Sequence, residues 1–172
     1  MIRKKDAVNV YSILFLSDDG DTGKRGICVM RSQEVAVYRE IQKNTEKAMA
    51  AIDTISDKVY DDQLAMQISR QALKYSEIHN KAVENLLQAK AELYHANNLS
   101  DMMMKGAIHY NTMLNTSTGH IAEMMIKGSN MGVLEMSKVL NHNEEAGQKS
   151  VGLARELIDF EEKNVERLKK YL

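Results

Sequence analysis

The chain has no proline and no tryptophan, and only two phenylalanines and one cysteine in 172 residues. Without proline and with only nine glycines, little in it breaks a helix. The single cysteine, Cys28, permits no intramolecular disulfide, which reads as a reducing, cytoplasmic setting. A net charge of −1 excludes any general attraction to nucleic acid or to an anionic membrane. Lys and Arg are spread over polar faces rather than gathered into a stripe. No run approaches the roughly 20 apolar residues of a membrane-crossing helix. Neither nucleic acid nor membrane is therefore an expected partner. What remains for a core is Leu, Ile, Ala and twelve methionines. Methionine fills irregular gaps and also suits an adaptable binding face. The length is that of one domain able to bury a core without staples.

Residues 1–30 differ from the rest. "MIRKK" followed by "AVNVYSILFL" imitates the basic and apolar parts of a signal peptide, but Asn9 interrupts the run and no small-x-small cleavage site follows. Two readings stand side by side. Lys24-Arg25-Gly26 is readily encoded by a purine-rich run of the ribosome-binding type, which makes Met30 a start and residues 1–29 a spurious extension. The other reading is a genuine, disordered tail. Either way the expected division is 1–30 as an N-terminal extension and 31–172 as a helical bundle.

From Ser32 onward the apolar spacing is helical. A first seam runs through Tyr38, Ile41, Thr45, Ala48, Ile52, Ile55 and Val59, with Ser32 as cap and Glu34 in the first turn. A second runs from Ala65 through Ile68, Ala72, Tyr75, His79, Ala82 and Leu86 to Leu93 and Ala96. "HANNLSD" ends it, and Ser100 or Asp101 caps a third helix through Ala107, Tyr110, Leu114, Thr118, Ile121, Met125 and Gly128. Gly128 and Gly132 mark a hinge or a close helix contact. A fourth seam holds Val151, Ala154, Ile158, Glu161, Val165 and Leu168. Short connections predict an all-α, antiparallel up-down-up-down four-helix bundle.

Taking each connection as a tight reversal brings Tyr38, Tyr75, His79, Thr118 and Glu161 to one height. His120 and Glu123 fall on an adjacent face. Burying such groups costs several kcal/mol unless they are bonded. They form either a satisfied network, in which His79 pairs with Glu161 or a tyrosine, or a metal site. The candidate ligands are His79, His120, Glu123 and Glu161, with Glu34 as a further donor. Imidazole with carboxylate suits Fe, Mn or Zn. His120-x-x-Glu123 has the useful spacing, whereas Glu77 and His79 point apart. Glu92-x-x-His95 sits at the fraying end of helix two.

"TSTGHIAEMMIKGSNMGVLEMSKVLN" and "ELIDFEEKNVERLKKYL" resemble an uncharacterised bacterial family of ferritin-like four-helix proteins, over about Ser32 to Leu172. The resemblance implies a ferritin-like bundle and carries no known activity. Di-iron members of that superfamily place Glu-x-x-His on two helices. Here Ser76 stands one turn before His79, His120-x-x-Glu123 reverses the order, and Glu161-x-x-Asn164 lacks the histidine. The expected role is a non-enzymatic bundle that forms a homo-oligomer (a dimer) or binds a partner. The alternative is a metal-binding protein with an incomplete di-iron-type site, holding Fe or Mn.

Overall fold

The computed structural model describes residues 32–95, 102–103, 105–108, 112 and 115–172. Among them the chain is all-α, with α1 (Ser32–Ser56), α2 (Asp62–Gln88), α3 (Thr118–His142) and α4 (Gln148–Leu168), then a 3-10 turn at Lys169–Tyr171. The readings made of residues 1–31, and of a helix start at Ser100 or Asp101, lie outside the described residues. None of the described helices is long and apolar enough to cross a membrane.

Local chemistry sets the helix starts. The Asp61 side chain accepts from Leu64 N (2.7 Å) at the start of α2, and Ser117 accepts from His120 N (3.3 Å) at the start of α3. Helix α4 has Gly147 at its cap and no side-chain cap of its own. Glu34 of α1 covers that end instead: a Cβ on Gly147 would overlap its carboxylate. Glycine is needed there for close approach, and the carboxylate lies where the helix dipole favours negative charge.

Helix α2 ends eight residues earlier than its seam suggests, at Gln88 rather than Ala96. Lys90 N bonds Leu87 O (3.0 Å) and Ala91 N bonds Leu86 O (2.9 Å), with Lys90 left-handed at φ 53°. This is a Schellman stop closed by a residue other than glycine. The following chain is then tied to the flank of α1. Arg39 donates to Glu92 O (2.8 and 3.1 Å), and Gln42 exchanges two hydrogen bonds with the Tyr94 backbone (2.8 and 3.1 Å).

That early stop changes the topology. Thr45 meets His79 (3.2 Å), so α1 and α2 form an antiparallel hairpin. Asn44 reaches Gly132 O (3.4 Å) and Gln33 reaches Glu145 N (2.8 Å), so α1 is antiparallel to α3 as well. Helices α2 and α3 therefore run the same way. The connection 89–117 leaves one end of the bundle beside Arg39 and reaches the other at Thr112, which accepts from Lys58 at 3.0 Å. The order is up-down-down-up with one long crossover, which corrects the expected up-down-up-down. Its most extensive contacts join α1 to α2 and α3 to α4; α1 also packs on α3 and α4.

The core stripe of α2 is Leu64, Ile68, Gln71, Tyr75, Ile78, Ala82 and Leu86. It is one residue away from the predicted seam at three places. Ile78, fully buried, takes the core position assigned to His79, which is half-buried at the α1 edge. Helix α1 matches its seam at Tyr38, Ile41, Thr45, Ile52 and Ile55.

Candidate functional site

Around the middle of the bundle all four helices turn polar side chains inward. Asn44 and Thr45 come from α1, Gln71 and Tyr75 from α2, Ser129 from α3, and Glu161 and Asn164 from α4. Glu161, only 2% exposed, is the centre of this layer. Its Oε2 accepts the Tyr75 hydroxyl at 2.7 Å, and Tyr75 is fixed edge-on against Phe160, with ring centroids 5.1 Å apart. Among the described residues no Lys, Arg or His forms an ion pair with Glu161.

Electrostatics follow from that isolation. Burial raises the Glu161 carboxyl above its ordinary range, while the Ser129 and Tyr75 hydroxyls favour the charged form. Tyr75 is pushed well above its usual range, by burial first and then by the neighbouring Glu161. One further buried amide lacks partners: among the described residues neither end of Gln71 makes a hydrogen bond, whereas Asn164 lies beside the Tyr75 hydroxyl. Leaving such an amide unbonded costs on the order of 1–3 kcal/mol for each end.

A cavity of about 380 Å³ opens beside this layer, between α1 and α3. Its α1 wall is Ala48, Ala51, Ile52 and Ile55, and its α3 wall includes Met124, Met125 and Met131. Ile108, from the crossover, adds to the lining. Glu161, Tyr75, Asn44 and Ser129 supply the polar part, and Lys47 and Glu135, 3.8 Å apart, add a charged pair. The volume is that of small-ligand pockets, which run roughly 300–1,000 Å³ with apolar walls and few polar groups.

The two glycines of α3 have different causes. Gly132 is a close contact: a Cβ there would stand 3.0 Å from Asn44 Oδ1 and 3.2 Å from Glu161 Oε1. Gly128 meets nothing within 4 Å. It lines the cavity, and its missing side chain leaves that space open. Helix α3 runs through both without interruption, so the hinge reading is replaced by a contact at Gly132 alone.

The five candidate metal ligands are dispersed. His79 faces Thr45, and Glu34 covers the start of α4. Glu123 is exposed and paired with Lys127 (2.6 Å), and His120 lies in the first turn of α3. Glu161 alone is in the cavity. Among the described residues no three His, Cys, Asp or Glu side chains are grouped so as to hold a metal ion. The physical reason is the crossover: height counts that assumed short reversals displaced α3 against α2. The Glu161–Tyr75 match survived because a helix register error of about one turn, roughly 5 Å, still lets long side chains meet. The Glu92-x-x-His95 spacing falls in the non-helical chain after α2. Sequence reasoning missed Asn44, Gln71, Ser129 and Asn164; the glycines and methionines of α3 were the available signal for a cavity.

No family model and no curated protein matches the chain. Among solved structures, one of a DUF305 fragment from Deinococcus radiodurans is similar, with a TM-score of 0.65 at 11% identity. The match covers 82% of this chain and 95% of that one. At that identity the likeness is one of fold.

Proposed function

We propose that the protein is a non-enzymatic binding module on a ferritin-like scaffold, and that it acts by taking a small, mainly apolar molecule into the α1–α3 cavity. The single observation behind this is the cavity itself, lined by apolar side chains that include Met124, Met125 and Met131 and ending at the buried Glu161 carboxylate. The up-down-down-up order with one long crossover is a ferritin-like connectivity and supports the scaffold reading. Binding is favoured over turnover because Glu161 is already engaged by two hydroxyls. An uncharged, environment-sensitive naphthalene dye tests it. The dye binds the wild-type chain, and Gly128→Leu, which grows a side chain into the open space, weakens that binding at least tenfold. Equal dye binding by an equally helical Gly128→Leu variant overturns the proposal.

A second reading places a metal ion at Glu161, the one candidate ligand that is buried without a cationic partner. Elemental analysis of protein purified without chelators tests it; metal-free protein whose melting temperature ignores added Fe or Mn ends it. Homo-oligomer formation draws support from α2. Met66, Leu73 and Leu87 are 56%, 73% and 59% exposed and share one face at multiples of seven residues. Two copies laid antiparallel bring Arg70 opposite the partner copy's equivalent of Glu84. Light scattering reads a dimer that Leu73→Lys dissociates; a monomer at high concentration rules it out.

A further inference from the structure

We propose that the occupant of the cavity is an amphipathic primary amine, its ammonium head on Glu161 and Asn44 and its hydrocarbon tail along the apolar walls. This rests on the binding reading above and specifies its ligand.

The head site is defined by what each oxygen already does. Glu161 Oε2 accepts from Tyr75. Oε1 lies on the Gly132 side: a Cβ on that glycine would stand 3.2 Å from it and 3.0 Å from Asn44 Oδ1, so the two oxygens approach each other there at the cavity lining. Asn44 uses its amide nitrogen on Gly132 O (3.4 Å), which presents Oδ1 as an acceptor. Two acceptors thus converge over a glycine, with the Ser129 hydroxyl beside Glu161. An ammonium group has three donors and no acceptor, and matches that set.

Charge decides the sign of the ligand. Among the described residues no base is paired with the buried carboxylate, and Lys47, the one cation that they contribute to the cavity lining, is placed against Glu135. A cationic head supplies the charge that the described residues do not place there. A carboxylate head would face both Glu161 and Glu135. An inorganic cation would satisfy the oxygens and leave the walls of Ala48, Ala51, Ile52, Ile55 and Met124 unfilled. Those walls run from the level of Asn44 to that of Ile55, about 16 Å of α1 at the helical rise of roughly 1.5 Å per residue. A linear tail fits that run.

Isothermal titration calorimetry of the full chain with octylammonium, octanol and octanoate tests the assignment. Octylammonium is expected to bind at least about tenfold tighter than octanol, as a charge-assisted hydrogen bond gives, and octanoate weakest. Glu161→Gln is expected to bring octylammonium down to the affinity of octanol while leaving octanol within about threefold. Equal affinity for octylammonium and octanol in the wild type overturns the amine assignment and leaves the cavity reading standing. So does a preference that Glu161→Gln leaves intact. Displacement of octylammonium by millimolar ammonium, sodium or magnesium chloride alone would assign the site to an inorganic cation and also overturn it. Binding of none of the three, in a chain that also fails to bind the neutral dye, overturns both proposals.

Discussion

Two neighbouring layers of the bundle are built to different rules. At Ile41, Ile78, Met136 and Leu157 all four helices present apolar side chains with no exposure to solvent. About one turn away along each helix they present Asn44, Tyr75, Ser129 or Gly132, and Glu161 instead. The first layer stabilises the fold by removing hydrocarbon from water, at about 25 cal/mol per Å². Among the described residues, the second buries a carboxylate without a cation and, in Gln71, an amide without a partner, and it opens onto the cavity. Both layers draw on the same helices and the same crossings, so geometry did not force the polar one. A layer that works against stability while lining a cavity is where a binding site is expected.

Truncation should separate the layers most. Ile41→Ala or Leu157→Ala in the apolar layer is expected to lose about 2–5 kcal/mol in urea unfolding, the range for buried aliphatic deletions. A loss below about 1 kcal/mol would mean that this layer relaxes into the void and is not close-packed. The opposite sign is expected in the polar layer. Gln71→Met removes a buried amide with two unbonded ends at similar volume, and should gain about 1–2 kcal/mol. Destabilisation there would show that the amide is satisfied in solution, and that the layer is a network serving the fold.

The two glycines of α3 give the smallest and sharpest contrast. Gly128→Ala should raise stability by about 0.5–1 kcal/mol, the helical preference of Ala over Gly, because its Cβ meets nothing. Gly132→Ala should lower it, because Asn44 and the Tyr75-held Glu161 stand within 3.2 Å of the new Cβ. Thermal melts of the pair check this, and a shift of the same sign in both would remove the distinction between an opened space and a tight contact.

How far the sequence displayed this division varies by element. The seam of α1 was readable because its large residues, Tyr38, Ile41, Ile52 and Ile55, leave one register. In α2 the alanines at 65, 72 and 82 fit either of two adjacent stripes, so spacing alone puts His79 in the core where Ile78 lies. The end of α2 carried no signal at all. Lys90 adopts a left-handed backbone that costs a residue with a side chain roughly 1–2 kcal/mol, and such a stop usually shows as Gly or Asn. Missing it hid the crossover, and with it the true neighbours of α3. The shared height of Tyr75 and Glu161 was legible from counting turns, but not that they pair with each other while His79 meets Thr45; the cavity was not legible, because a void is the absence of side chains and leaves only its glycine and methionines in the pattern.

If Glu161 is buried for binding rather than for stability, Glu161→Gln separates the two. Glutamine keeps an acceptor for Tyr75 and removes the charge. Because burial raises the folded Glu161 carboxyl above its ordinary value of 4.5, the native state holds that proton to higher pH than the unfolded chain. Wild-type stability therefore falls as pH rises from about 4.5 through the folded value, and the variant escapes that loss. Urea unfolding across this range, with octylammonium titration at pH 7, should find the variant as stable as wild type or more so, its advantage growing with pH, and its preference for the amine gone. A variant that is several kcal/mol less stable at neutral pH, with ligand binding unchanged, would mean that Glu161 serves the fold and not a ligand.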